Sequence, residues 1–208
     1  MSMKKNRNGR EASPNSRPTG EVRIIAGLWR GRKLPVLNAE GLRPTTDRVK
    51  ETLFNWLMND IAGSRCLDCF AGSGSLGLEA LSRQAQAVVF LEKFANAAQQ
   101  LKKNLASLKT DKGTVINTDT LTYLSQKNST EPFEIIFIDP PFHHNFVPHV
   151  LTLLQQNNWL AENALIYVET EKNHPPLLLA ENWQIIKEKS AGMVTSLSLI
   201  HISEPTRP

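Results

Sequence analysis

The chain has 208 residues, of which 40% are hydrophobic and 21% charged, and its formal net charge is +4. A chain of this length is most simply one domain with a core of ordinary size, plus appendages. Neither a signal peptide nor a long apolar segment is present, so we expect a cytoplasmic, reduced location rather than a secreted or membrane-spanning protein.

The positive charge is concentrated near the N-terminus. Residues 1–50 contain twelve Lys and Arg against four Asp and Glu, whereas the rest of the chain carries a net negative charge. A basic N-terminal quarter favours an arm that faces a polyanion. Residues 1–20 are polar and lack apolar periodicity, so we interpret them as a disordered basic tail.

Residues 22–36 predict a small hairpin with a cationic face. Apolar runs flank Gly27 and Gly31, and four basic residues are interleaved with them: Arg23, Arg30, Arg32 and Lys33. We expect this face to bind RNA, with Trp29 as a stacking platform. The alternative is a solvated surface, because charge alone seldom identifies nucleic-acid binding.

Residues 44–58 predict a helix that is capped by Thr45 or Thr46. Its apolar stripe is formed by Val49, Leu53, Trp56 and Leu57, which we assign to the core. We expect the hairpin and the helix to form an RNA-contacting N-terminal extension over residues 21–60, before a main domain at 61–196.

A short apolar strand, residues 66–70, leads into a glycine-rich turn and a helix. The glycines have the spacing G-x-G-x-x-G, which lets the backbone approach a ligand at a helix N-terminus: Gly72, Gly74 and Gly77. Glu92 ends the next apolar strand, where a carboxylate can bind ribose hydroxyls. Asp68 precedes the turn, where its charge would repel a pyrophosphate but attract an ammonium group. The combination favours S-adenosylmethionine over a nicotinamide dinucleotide.

The most specific motif is Asp139-Pro140-Pro141-Phe142, directly after an apolar strand. Two prolines end that strand, stiffen the turn and leave the carbonyls of Asp139 and Pro140 without ladder partners. The loop therefore presents a carboxylate, carbonyl acceptors and an aromatic ring, a set that suits a planar base with an exocyclic amine. The plainer interpretation is an ordinary strand-ending turn.

Strand and helix patterns alternate along the main domain. Strands are expected near 65–70, 86–92, 113–117, 133–139, 163–170 and 183–189, and helices near 75–84, 94–108, 119–127 and 145–156. This alternation predicts a mostly parallel, twisted α/β sheet with helices on both faces and a binding crevice at the carboxyl ends of the strands. Four carboxylates fall at or just after such ends: Asp68, Glu92, Asp119 and Asp139.

These motifs resemble the class I S-adenosylmethionine-dependent amino-methyltransferases, and residues 23–34 and 42–57 are similar to the bacterial RsmD type. Enzymes of that type methylate the N2 amine of one guanine in small-subunit (16S) ribosomal RNA. The resemblance runs from about Glu21 to Thr195. It implies a Rossmann-like class I methyltransferase fold, S-adenosylmethionine as cofactor without a metal, an assembled or assembling small subunit as partner, and a monomer.

The resemblance also implies roles for individual residues. Cofactor binding is expected from Asp68, Phe70, Gly72, Gly74, Gly77, Glu92, Asp119, Arg43 and Thr45. Asp119 corresponds to an acid near the adenine amine, although it fits a cap for the helix at Thr120 equally well. Catalysis is expected from Asp139, Pro140, Pro141 and Phe142: the Asp139 carboxylate and Pro140 carbonyl hold the amine, and Phe142 stacks on the base.

Other features allow simpler interpretations. Cys66 and Cys69 lie three positions apart on a predicted strand, on opposite faces, which favours core packing over redox or metal chemistry. His143 and His144 are either loop residues or phosphate contacts. Three further functions remain open: methylation of another RNA or DNA base amine, a dinucleotide-dependent reductase, and a non-catalytic ribosome-assembly factor.

The C-terminus resembles translated sequencing adapter of the transposon type. We therefore hypothesise that the natural chain differs after about Thr195 or Ser196 and that residues 197–208 are a non-native tail. Family members end with a strand inserted into the sheet, and we expect that final strand to be compromised here.

Overall fold

The computed structural model describes residues 20–37, 46–141, 145–173 and 175–202. Five residues to which the sequence assigned a role, or an alternative role, lie outside these ranges: Arg43, Thr45, Phe142, His143 and His144. The predicted tail at residues 1–20 also lies outside them, except for Gly20. No helix in the described ranges has both the length and the apolar character needed to cross a membrane.

A seven-stranded sheet forms the centre of the molecule, with a separate two-stranded hairpin. The elements in chain order are β1 (Gly20–Arg23), β2 (Lys33–Val36), α1 (Asp47–Trp56), β3 (Arg65–Asp68), α2 (Ser75–Ser82), β4 (Ala87–Glu92), α3 (Ala95–Ser107), β5 (Gly113–Asn117), α4 (Thr120–Leu124), β6 (Phe133–Ile138), α5 (Phe146–Gln156), β7 (Leu160–Glu171), β8 (Trp183–Ala191) and β9 (Val194–His201). The strand order is β5-β4-β3-β6-β7-β9-β8, and β9 is antiparallel to both of its neighbours. The predicted α/β architecture is confirmed.

The sheet has a hydrophobic core on each face because its strands are apolar on both sides. In β6, Ile135 and Phe137 belong to one core, whereas Ile136 and Ile138 belong to the other. The first core also contains residues of the hairpin and of α1, α2 and α3, and the second contains residues of α4 and α5. This three-layer arrangement leaves the carboxyl ends of the parallel strands at one edge.

The hairpin is fixed to the main domain by a buried carboxylate on α2. Glu79 is fully buried, and its two carboxylate oxygens accept backbone N–H bonds from Ile25 and Ala26 at 2.8 and 3.0 Å. The same side chain forms an ion pair with Arg83 at 2.9 Å. Lys50 of α1 is also buried and donates to the carbonyl of Arg23. The hairpin therefore has a defined position on the first face of the sheet.

The expectation of a compromised final strand is wrong for this structure. β9 lies between β7 and β8 and pairs with both, from Glu171↔Val194 to Leu165↔Ile200 on the β7 side. Leu197 and Leu199 are buried in the second core, because alternation along β9 directs them to the same face. The non-native origin of residues 197–208 stays a hypothesis, but the segment up to His201 has the pattern and the packing of a strand.

Candidate active site

Those predicted cofactor and catalytic residues that the structure describes lie at or just after the carboxyl ends of the strands, where β3 lies between β4 and β6. Asp68, the last residue of β3, is in register with Phe90 of β4 and Phe137 of β6. The glycine turn that follows β3 therefore lies beside the loop that begins at Asp139. Adjacent parallel strands thus bring together two motifs that are about seventy residues apart in sequence.

The glycine turn has a conformation that side chains would obstruct. Gly74 precedes α2 with a φ of +76°, which favours glycine. A Cβ at Gly77 would lie 2.1 Å from the Phe90 ring, so helix and strand approach too closely for any side chain there. The turn is consequently tight and leaves its backbone close to whatever occupies the crevice.

Asp68 stabilises this turn through a hydrogen bond to the backbone of α2. Its Oδ2 accepts the N–H of Gly77 at 3.1 Å, and the side chain is almost completely buried. Burial, together with the charge of Glu92, raises the pKa of Asp68 to about 7. The group is therefore poised to change charge near neutral pH, and an ammonium group nearby would favour its ionised form.

Glu92 connects the glycine turn to the end of β4. Its Oε2 accepts the N–H of Gly72 at 2.8 Å and its Oε1 accepts the N–H of Phe94 at 2.7 Å. Burial raises the pKa of Glu92, although these backbone hydrogen bonds oppose the shift. The carboxylate has about four acceptor sites, and the backbone N–H groups of Gly72, Lys93 and Phe94 do not fill all of them, so Glu92 can still accept from a ribose hydroxyl.

Phe94 and Lys93 were not selected from the sequence, although they directly follow Glu92. The Phe94 side chain is 61% exposed and follows the end of β4 by two residues. Lys93 forms an ion pair with Asp119 at 3.3 Å. Their adjacency to the acid at the end of β4 is the signal that would have identified them.

Asp119 acts as a helix cap in this structure. Its Oδ1 accepts the N–H of Thr122 at 3.1 Å, and it precedes α4 with an extended backbone. The capping hydrogen bond and Lys93 lower the pKa of Asp119. Of the two roles left open by the sequence, capping is observed, and the Lys93 pair occupies the second oxygen; contact with adenine stays a prediction.

The Asp-Pro-Pro loop leaves β6 as expected. Asp139 is half-buried, Pro140 is buried and Pro141 is exposed. The neighbouring strand β7 continues beside this loop, because Ile138 is in register with Val168. The loop therefore begins within the sheet rather than away from it.

Two aromatic rings, one just after β3 and one at the start of α5, pack against each other. Phe70 and Phe146 have ring centroids 5.5 Å apart at an interplanar angle of 47°. Phe70 was selected as a cofactor residue, whereas Phe146, the first residue of α5, was not selected. The two rings thus form an apolar contact between the end of β3 and the start of α5.

Two cysteines predicted to be core residues are buried, and they belong to different cores. Cys66 packs in the first core and Cys69 in the second, as expected for a strand with two apolar faces. Burial raises the pKa of the Cys66 thiol to about 12 and raises that of Cys69 as well. Both thiols are therefore protonated and unreactive at neutral pH.

The basic residues of the hairpin lie on its exposed surface, at a distance from the crevice. Arg30, Arg32 and Lys33 are exposed, as is Arg23. The hairpin turn contacts Ser82, the last residue of α2, through the Trp29 N–H at 3.0 Å. Since an eight-residue helix is about 12 Å long, the basic turn lies one helix length from the glycine turn.

Trp29 is less available for stacking than the sequence suggested. Its ring is half-buried and packs against the first core, whereas the neighbouring Leu28 is 69% exposed. Arg32 donates to the carbonyl of Ser107 at 3.3 Å, and Lys33 pairs with Glu21 at 3.2 Å. Arg30 makes neither the hydrogen bond to Ser107 nor the ion pair with Glu21.

The strand order, the glycine turn and the acid at the end of β4 define a class I methyltransferase. The protein-family model described as Conserved hypothetical protein 95 matches residues 22–200. The chain belongs to that family, the RsmD-type methyltransferases.

The relatives agree with this assignment. The chain is 60% identical over 185 residues to the ribosomal RNA small subunit methyltransferase D of Haemophilus influenzae, covering 88% of this chain and 94% of that one. It is 51% identical over 181 residues to the protein of the same name from Escherichia coli K12, covering 87% and 90%. A solved structure, a putative methyltransferase from Escherichia coli, matches with a TM-score of 0.81 at 49% identity, covering 89% of this chain and all of that one.

Proposed function

We propose that this chain transfers a methyl group from S-adenosylmethionine to the exocyclic N2 amine of one guanine in small-subunit ribosomal RNA. The observation that carries the proposal is the register of β3 and β6, which sets the glycine turn beside the Asp-Pro-Pro loop. One motif suits a nucleoside cofactor and the other an amine-bearing base, so the geometry supports transfer between them. The names of the relatives supply the RNA class and the acceptor atom follows from the family type.

The residues of the crevice fit S-adenosylmethionine. The turn at Gly72 and Gly74 accommodates a closely approaching ligand, and Glu92 suits ribose hydroxyls. The exposed Phe94 ring offers an apolar surface to an adenine. Asp68 disfavours a phosphate and favours an ammonium group, and S-adenosylmethionine has the latter without the former.

In this reaction the protein has to position the acceptor amine but does not have to activate the methyl group. The cofactor supplies an already activated methyl group when it is bound. The chain must hold the acceptor, because the lone pair of a guanine N2 is delocalised into the ring. Acceptors on both N–H groups direct that lone pair toward the methyl carbon and stabilise the positive charge that develops on nitrogen.

We assign these acceptors to the carboxylate of Asp139 and the carbonyl of Pro140. With S-adenosylmethionine held by the glycine turn and Glu92, N2 would take its methyl group while the sulfur keeps the bonding electron pair, and N2 would then lose one proton. Asp139 takes that proton or passes it to water, and it need not be a strong base because the methylated nitrogen is a strong acid. Phe142 would stack on the base.

RNA binding is assigned to the exposed cations of the hairpin. Because the basic turn lies about 12 Å from the glycine turn, the RNA must extend along the first face of the sheet while one base enters the crevice. A base within a folded RNA must swing outward for this, at a cost of a few kcal/mol. The assembled or assembling small subunit is the proposed substrate, which places the activity in the cytoplasm.

The experiment is transfer of a labelled methyl group from S-adenosylmethionine to small ribosomal subunits that lack this modification, followed by nucleoside analysis. The proposal predicts N2-methylguanosine at one site. Label in an adenosine or cytidine would replace the proposed acceptor. Absence of transfer with S-adenosylhomocysteine still bound would retain the cofactor and reject the substrate.

A further inference from the structure

Beside Asp139 lies a second carboxylate that the sequence did not single out. Ile138 of β6 is in register with Val168 of β7, so Asp139, which directly follows β6, comes next to Glu169 of β7. Two positions earlier, Phe137 and Tyr167 are also in register and both belong to the first core. Alternation along the strands therefore directs Asp139 and Glu169 to that same face of the sheet.

Glu169 is held in place by a hydroxyl group. The Tyr167 hydroxyl donates to Glu169 Oε1 at 2.7 Å, and it lies 3.0 Å from the hydroxyl of Ser196 on β9. Glu169 is only 6% exposed. Burial and the charges of Glu169 and Asp139 raise the pKa of Tyr167, so this hydroxyl stays protonated and keeps its role as donor.

Three common bases carry an exocyclic amine, and they differ at the adjacent ring nitrogen. In guanine the N2 amine is next to N1–H, a donor. In adenine the amine is next to N1, and in cytosine it is next to N3. Both of these ring nitrogens carry a lone pair and therefore accept hydrogen bonds instead of donating them. A fixed carboxylate at this position attracts the first base and repels the other two.

We propose that Glu169 selects guanine by accepting the N1–H bond while Asp139 holds the N2 amine. This inference rests on the proposed function, since it concerns the base that enters the same crevice. Adjacent strands lie about 4.8 Å apart, which suits two carboxylates that receive neighbouring donors on one edge of a base. Tyr167 positions Glu169 and does not contact the base.

The test pairs one enzyme residue with one substrate atom. Small subunits are reconstituted with the target guanosine, or with 2-aminopurine riboside in its place, which keeps the C2 amine but has a lone pair at N1. For the wild-type chain we expect kcat/KM to fall about 100-fold on the analogue, because a buried carboxylate then faces a lone pair. In Glu169→Gln the amide can donate to that lone pair, so the preference should fall toward unity.

Glu171→Gln is the matched control, because Glu171 lies two residues further along the same strand. It should keep the wild-type preference. The inference would be overturned if Glu169→Gln kept a preference of about 100-fold for guanosine over the analogue. It would also be overturned if this substitution lowered kcat/KM equally for both substrates. If Glu169→Gln fails to fold, the wild-type measurement decides alone: equal rates on guanosine and 2-aminopurine would overturn it.

Binding gives a second readout that does not depend on turnover. With S-adenosylhomocysteine bound, the wild-type chain should bind guanosine-containing subunits more tightly than the analogue, and Glu169→Gln should not. A wild-type chain that methylates no guanosine at all would reject the proposed function. A chain that methylates guanosine and is indifferent to N1 would reject only the role of Glu169.

Discussion

The carboxylate of Asp139 and the buried carboxyl of Asp68 lie at the same edge of the sheet, and their surroundings differ. Asp139 is half-buried at the start of a loop, whereas Asp68 is enclosed beneath the glycine turn. In the proposed function Asp139 would contact the substrate, whereas Asp68 accepts a backbone hydrogen bond from Gly77 and has a pKa of about 7.

Asp139→Ala should remove most methyl transfer. Losing one preorganised group that stabilises developing charge typically lowers kcat about 100-fold or more. Cofactor affinity and the fold should be nearly unchanged, because the prolines keep the loop rigid. Single-turnover transfer and calorimetric titration with S-adenosylhomocysteine measure the two effects; a variant with near-normal transfer would reject the assignment.

Cofactor affinity should increase with pH through neutrality. Asp68 has a pKa of about 7, against an ordinary value of 3.8, so it is largely neutral at pH 6 and charged at pH 8. An ammonium ligand is attracted to the charged form, and we expect S-adenosylhomocysteine to bind about tenfold more tightly at pH 8 than at pH 6. Calorimetry at several pH values measures this. Asp68→Asn should flatten the dependence, and an equal rise in that variant would assign it to another group.

The same group affects the stability of the ligand-free protein. Between about pH 4 and pH 7 the folded state holds a proton on Asp68 that the unfolded state has released. The free energy of unfolding therefore falls as pH rises through this window, as far as this residue is concerned. A bound ammonium group would offset the loss above pH 7.

At the scale of elements, the hairpin depends on one buried side chain of α2. Glu79 accepts three hydrogen bonds, two from the backbone of the hairpin and one from Arg83. In Glu79→Gln one of these acceptors becomes an amide donor that faces another donor. We expect a loss of about 2–4 kcal/mol in the free energy of unfolding, measured by urea denaturation.

Glu134→Gln is the control for that substitution. Glu134 also accepts a backbone N–H, from Arg65 at 2.8 Å, but it is exposed to solvent. Water can satisfy the changed group, so the loss should stay below about 1 kcal/mol. Equal losses in the free energy of unfolding at the two positions would show that the burial of Glu79 does not increase the cost of the substitution.

The hairpin should also bring positive charge to the RNA. Arg30→Ala should weaken binding to small subunits and reduce the slope of log affinity against log salt by about one, the value for one phosphate contact. Lys127→Ala is the control. It removes the same charge from an exposed position just after α4, which packs on the face of the sheet opposite the hairpin. An identical change in salt dependence for both variants would indicate a general charge effect and remove the hairpin from the interface.

The sequence predicted those features that depend on local pattern. The apolar runs before Asp68, Glu92 and Asp139 mark strand ends, and parallel strands necessarily bring such ends together. It did not predict contacts that depend on pairing between distant segments. Glu169 follows the apolar run of residues 164–168, and only the register of β6 and β7 sets it beside Asp139. Glu79 likewise lies 54 residues from Ile25.

For the whole molecule, stability depends on the insertion of β9. Leu199 is fully buried between β7 and β8, so Leu199→Ala should cost about 2–5 kcal/mol of the free energy of unfolding. Ile202→Ala, at an exposed position just after the strand, should cost little. Urea denaturation of both variants measures the difference; equal, small effects would mean that β9 is not inserted in solution and would support the hypothesis of a non-native tail.

The most direct test of the account is methyl transfer to small ribosomal subunits that lack the modification, with the modified nucleoside identified by mass. We expect N2-methylguanosine at a single site with the wild-type chain, and almost none with Asp139→Ala. Methylation of another base, or equal transfer by the two proteins, would contradict it.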